Sequence, residues 1–167
     1  MNKQKGFSLI ELLIVVAIIL IIAAIAIPNL MRSRMAANES SAVGSVRTVN
    51  TAMVTYAAQF PDTGYAATLD ALGGQAATCA PPAVATLAAA CLIDQSLSVA
   101  PYQKSGYTFT AAGAKVNSNV NNVYTVTAVP QGVGSTGNRS FYSDQSGVIR
   151  YNLNGSAAPT VNSSPLQ

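Results

Sequence analysis

From Phe7 to Ile27 the chain reads FSLIELLIVVAIILIIAAIAI, and its only polar side chains are Ser8 and Glu11. As a helix, an apolar run of this length spans about 30 Å, the thickness of a bilayer's hydrocarbon core. The stretch can cross a membrane. What it does not explain by itself is a carboxylate near its start, because a charged side chain at the centre of a bilayer costs roughly 2.5–3.5 kcal/mol on insertion scales.

Three readings account for Glu11 differently. A secretory signal peptide would have a basic start, an apolar core and a small-x-small exit, which Ala24-Ile25-Ala26 resembles. The core here is longer than the usual 7–15 residues, and a glutamate near its start fits such a signal poorly. A plain single-pass anchor would leave Glu11 incidental, reaching toward the headgroups. A third reading gives the carboxylate a partner. If the chain is cut between Gly6 and Phe7, the new α-amine of Phe7 is a cation near neutral pH. It lies four residues from Glu11, about one helical turn. The two charges could pair within one chain or between neighbouring chains, strongly in a low-dielectric setting. Glu11 would then set the register of one apolar helix against the next, which non-directional apolar packing cannot do.

The leader MNKQKG, the FSLIE that follows it, the apolar helix and IPNL together resemble the N-terminus of a type IV pilin or a related pseudopilin. The resemblance is close over residues 1–30 and loose beyond them. The short leader and the phenylalanine resemble the type IVa branch. The resemblance implies a dedicated prepilin peptidase that cuts after Gly6 and methylates the amine of Phe7, with Phe7 and Glu11 guiding subunit docking. It also implies self-association into a helical homopolymer, an inner-membrane assembly platform as partner, and membrane lipid around the helix before assembly. In the family the helix can unwind ahead of the proline that matches Pro28. Leu20 stands where many members have glycine, and leucine is the better helix former, which works against such unwinding.

Lys3 and Lys5 precede the span, so the positive-inside tendency keeps the leader cytoplasmic and sends the bulk of the chain outward. Arg32 and Arg34 follow the span and weaken that signal. Removing the leader lowers the formal charge from +3 to +1, since it takes both lysines. The high isoelectric point is mostly a leader effect, and nucleic acid is not indicated as a partner.

Beyond the span, Pro28 deletes one helical hydrogen bond and should kink the helix. The following sequence keeps a helical period: Val43, Val46, Val49, Met53, Tyr56 and Phe60 fall three or four apart and make one apolar face. Arg32, Arg34, Asn38 and Glu39 make the section before that face polar, and Pro61-Asp62-Thr63-Gly64 ends the helix. The helix from Phe7 to Phe60 would be about 80 Å long.

Next, ATLDALGG reads as a short helix ended by Gly73-Gly74. GYTFTA from Gly106, VYTVTAV from Val123, RSFYS from Arg139 and VIRYNL from Val148 then alternate with period two and read as four strands. Asp144-Gln145-Ser146-Gly147 is a tight turn that makes a hairpin of the last two. The expected fold is α+β: a long N-terminal helix, membrane-spanning in its first half and amphipathic in its second, packed on a four-stranded antiparallel sheet. The organisation is a leader (1–6), a span (7–27), the amphipathic continuation (28–60), a connecting region (61–105), the sheet (106–153) and a loose C-terminal tail (154–167).

The two cysteines, Cys79 and Cys91, bracket APPAVATLAAA in the connecting region. In an oxidising compartment they would form a disulfide. Two thiols without histidine do not complete a zinc site. This placement departs from the many type IV pilins whose disulfide brackets the C-terminal part of the chain.

The search for catalytic residues finds little. The chain has no histidine, hence no Ser-His or Cys-His pair. The head's acids, Asp62, Asp70, Asp94 and Asp144, are isolated in sequence. Asp144 suits either a turn bond or a calcium ion. No enzyme activity, cofactor or metal is expected. The leading function is a subunit that polymerises into a pilus fibre, anchored in the inner membrane beforehand with its head outside. Its alternatives are a pseudopilin of a type II secretion system, forming a periplasmic filament, and a membrane-tethered binding or adhesive domain that never polymerises.

Overall fold

The computed structural model describes residues 7–75, 77–81, 84–155 and 159–166. The chain divides into two units, Met1–Arg34 and Met35–Gln167. One helix, α1 (Leu9–Gln59), runs through Pro28 without interruption.

In the first unit every large side chain from Leu12 to Ile27 is exposed, from 46% at Val16 to 65% at Ile25. Over this stretch no face of α1 is buried among the described residues. The helix is long and apolar enough to cross a membrane, and an 18-residue stretch of it has a mean hydropathy of 3.3.

In the second unit α1 buries the stripe Glu39, Ala42, Ser45, Val46, Val49, Ala52, Met53 and Tyr56. Val46, Val49 and Met53 are fully enclosed, each contributing about 1.5–3 kcal/mol by leaving water. Val43 and Phe60 pack at the margin of this core, half buried. The helix ends as its apolar period ends, where the Thr63 and Gly64 N–H groups both turn back to the Phe60 carbonyl at 3.0 Å.

The stripe faces an antiparallel sheet with strand order β1-β2-β3-β4-β5-β6. The strands are β1 (Gln103–Lys104), β2 (Tyr107–Ala114), β3 (Val123–Pro130), β4 (Ser140–Asp144), β5 (Arg150–Asn152) and β6 (Ser164–Pro165). Alternation decides which side chains enter the core. Tyr107 and Phe109 on β2, and Tyr124, Val126 and Ala128 on β3, are buried, while Thr110 and Thr125, at alternate positions, are exposed. The turn from β4 to β5 is closed by the Gly147 N–H on the Asp144 carbonyl at 2.9 Å, with Gly147 at φ +72°, a conformation that favours glycine.

The sequence predicts four strands, and six are present among the described residues. The two additions are two-residue edge strands with no alternation to detect. β1 is positioned by its pairing with β2, and β6 by its pairing with β5. The second addition lies in the segment expected to be a loose tail. Ser164–Pro165 completes the sheet, and the Leu166 N–H donates to the Ile149 carbonyl at 2.7 Å. Residues 156–158 and 167 of that tail lie outside the described residues.

Between helix and sheet stand α2 (Leu69–Leu72) and α3 (Gln95–Ser98), the latter started by Asp94, whose side chain accepts from the Ser96 N–H. Cys79 and Cys91 form a disulfide, and the Tyr56 hydroxyl donates to the Leu87 carbonyl at 2.8 Å inside the loop so closed. A closed loop of this size contributes about 3 kcal/mol in the chain-entropy model. Replacing both cysteines by serine should therefore lower the denaturant midpoint of the head and leave its circular dichroism spectrum unchanged. An unchanged midpoint would show that the bond adds no stability.

Candidate functional site

The start of α1 shows how the uncut chain satisfies Glu11. The Leu12 N–H donates to the Ser8 carbonyl at 3.3 Å, so Ser8 is the capping residue and Glu11 the third residue of the helix. The Ser8 N–H donates to Glu11 Oε2 at 2.9 Å. This is the return half of a capping box, in which a carboxylate in the first turn satisfies the backbone N–H of the cap. The positive end of the helix dipole favours the same charge. Phe7, 89% exposed, stands one residue ahead, and Gly6 lies outside the described residues. An amine on Phe7 exists only once the Gly6–Phe7 bond is cut, so in the uncut chain the carboxylate bonds its own backbone. The signal for this role was Ser-x-x-Glu ahead of an apolar run, which the sequence reading passed over in favour of the amine.

The second ionic feature lies in the head. Glu39 is 7% exposed at the top of the buried stripe. Its Oε1 accepts from the N–H groups of Asn138 at 2.8 Å and Arg139 at 3.2 Å, and its Oε2 from Arg139 Nε at 2.7 Å. Arg139 Nη2 meets the same oxygen, Oε2, at 2.7 Å and completes the ion pair. Burial pushes the Glu39 carboxyl up, but the Asn138 N–H and the Arg139 guanidinium outweigh it and hold it below its ordinary value of 4.5. The same guanidinium lies over the rings of Phe141 and Tyr151, at 5.9 and 5.6 Å from their centres. The sequence reads Glu39 as part of a polar section ahead of the apolar face. The structure makes it the bolt between α1 and the start of β4.

The remaining polar candidates have structural roles. Asp144 Oδ1 accepts from the N–H of Ser146 at 2.9 Å and from its hydroxyl, which commits it to its own turn. The Tyr107 hydroxyl donates to the Arg139 carbonyl at 2.8 Å. Tyr124 packs edge-on against Tyr65, and burial pushes its phenol up to about 12.

Comparisons with known proteins cover part of the chain. The model of the prokaryotic N-terminal methylation motif matches residues 1–27. A type IV wide pilus major component from Thermus thermophilus is 60% identical over 40 residues, 24% of this chain and 30% of that protein. A type IV major pilin protein from Myxococcus xanthus is 44% identical over 54 residues, 32% of this chain and 24% of that one. The type II secretion system core protein G from Escherichia coli is 34% identical over 55 residues, 33% of this chain and 38% of that one. The chain thus spans between 24% and 38% of the length of these curated relatives. None of the three names denotes an enzyme. No solved structure matches the chain. The methylation motif and these three relatives, each similar to part of the chain, support a type IV pilin or pseudopilin family.

Proposed function

We propose that the chain is a structural subunit that a prepilin peptidase cuts between Gly6 and Phe7 and methylates on the Phe7 amine. It then polymerises through its apolar helix into a type IV pilus fibre. Before assembly it sits in the inner membrane with lipid around residues 7–27 and its head outside; an assembly platform in that membrane extracts and stacks it. The observation that carries the reading is the lone carboxylate of Glu11. It stands one turn from Phe7, at the head of a helix whose apolar side chains are exposed on every side. A tether needs an apolar helix but neither a cutting junction nor a charge.

A pseudopilin in a type II secretion system would use the same anchor, and the relative named as a core protein of that system supports this second reading. The pilus reading leads because the two relatives named as pilus components have the higher identity. Pro28 serves in either case as the point where the helix lacks one backbone donor.

Mass spectrometry of the N-terminal peptide from membrane or fibre fractions tests the processing step. The expected peptide begins at Phe7 and carries one methyl group on its amine. A chain that keeps Met1, or one that starts at Ile27, would sink the proposal.

A further inference from the structure

The outer edge of β2 is covered in two places and open between them. The Phe109 N–H donates to the Tyr102 carbonyl at 2.9 Å, and the Gly113 N–H donates to the Ala67 carbonyl at 3.4 Å. Strand alternation points the Ala111 N–H to the same edge, midway between them. Among the described residues nothing bonds it there. A cavity of about 160 Å³ opens at this gap, lined by Thr68, Leu69, Asp70, Tyr102, Phe109 and Ala111 among others. Leu69 and Phe109, both buried, form an apolar floor.

The polar groups around that floor are incompletely used. The Thr68 hydroxyl precedes α2 but makes no capping bond. The Asp70 carboxylate takes the Tyr102 hydroxyl across both oxygens, at 3.0 and 2.9 Å. Glu39 and Asp94 each pair with a cation, Arg139 and Lys104. Asp70 pairs with none among the described residues. Tyr102 holds its place at φ +56°, a region costly for an aromatic residue.

We propose that this gap is a docking slot for an extended peptide segment of another protein, carrying one lysine or arginine. The Ala111 N–H would receive one carbonyl of the segment, as in strand addition to a sheet edge. The floor of Leu69 and Phe109 would take the aliphatic stem of the basic side chain, and Asp70 its charged end. The two covers limit the slot to about three residues, since strand residues advance about 3.3 Å each. A cavity of this size holds a slender stem, being close to the roughly 150 Å³ that admits a benzene. The proposal does not depend on whether the chain polymerises.

The test is a titration of the full-length, nitrogen-15-labelled chain in detergent micelles, followed by amide chemical shifts. The probes are N-acetyl-Ala-Lys-Ala-amide and its norleucine counterpart. The Ala111 amide should shift saturably with both, and the lysine peptide should bind roughly fivefold tighter, as a partly exposed ion pair allows. Asp70→Asn should abolish that preference while keeping norleucine binding and the remaining amide spectrum. Tyr102→Phe should retain the preference, since the carboxylate stays. No Ala111 shift, equal affinity for the two peptides, or a preference that survives Asp70→Asn would each overturn the proposal. Binding of n-butylammonium as tight as that of the lysine peptide would also overturn it, by showing a site for small amines.

Discussion

Glu11→Gln protein should insert, fold its head and be cut normally, yet polymerise poorly when it is the only subunit present. The substitution keeps side-chain size, and glutamine serves as well as glutamate at the third position of a capping box, so the helix start at Ser8 is preserved. It also removes a charge that opposes insertion, so failed insertion could not explain a defect. What it takes away is the charge that the Phe7 amine of an adjacent subunit would meet. Leaving one member of a desolvated ion pair unmatched costs about 3–5 kcal/mol, more than a hundredfold in association. Glu11→Lys should assemble worse still, because it sets like charges together. The measurement is the ratio of sheared fibre to processed subunit retained in the membrane. If Glu11→Gln assembles as fast and as far as wild type, the carboxylate is no assembly determinant and the tethered domain becomes the better reading.

Two lone carboxylates in this chain show what local pattern conveys and what it does not. The capping role of Glu11 is legible locally because its partner Ser8 lies three residues away, with the apolar run directly behind. Glu39 obeys the same logic. Positions 39, 42, 46, 49, 53 and 56 form one uninterrupted helical stripe with the glutamate at its head. A carboxylate there demands a partner, yet that partner is separated from it by 100 positions in sequence. Periodicity exposes the need and cannot name Arg139.

The strands divide on similar lines. β2 and β3 are long enough for alternation to register, whereas β1 and β6 are pairs of residues whose conformation comes from the neighbour they bond. Pro165 in β6 brings no backbone donor, which suits the outermost strand of a sheet and gave no hint of a strand in the sequence. α3 depends on a single capping aspartate, Asp94, in a segment too short for a helical period.

Arg139→Met should destabilise the head at neutral pH by about 2–3 kcal/mol, at or just below the low end of the roughly 3–5 kcal/mol for breaking a fully buried ion pair. The figure is reduced because the Arg139 side chain is 38% exposed, and because the N–H groups of Asn138 and residue 139 still bond the carboxylate. Methionine keeps much of the packing volume against Phe141 and Tyr151, so the loss reports the charge. In the wild type the folded carboxyl titrates below its ordinary 4.5. Its stabilising contribution is therefore complete above that value and is lost as pH falls through the folded pKa. Without the guanidinium, burial is less well opposed, the folded pKa rises, and mild acid neutralises the stranded carboxylate. The gap between variant and wild type should then be widest near pH 7 and narrow toward pH 4, read from denaturant unfolding at both. Glu39→Leu combined with Arg139→Met should be less damaging at pH 7 than Arg139→Met alone, because no charge stays buried. A penalty that is the same at both pH values, or a double variant as unstable as the sum of its singles, would mean that the pair does not bolt α1 to β4.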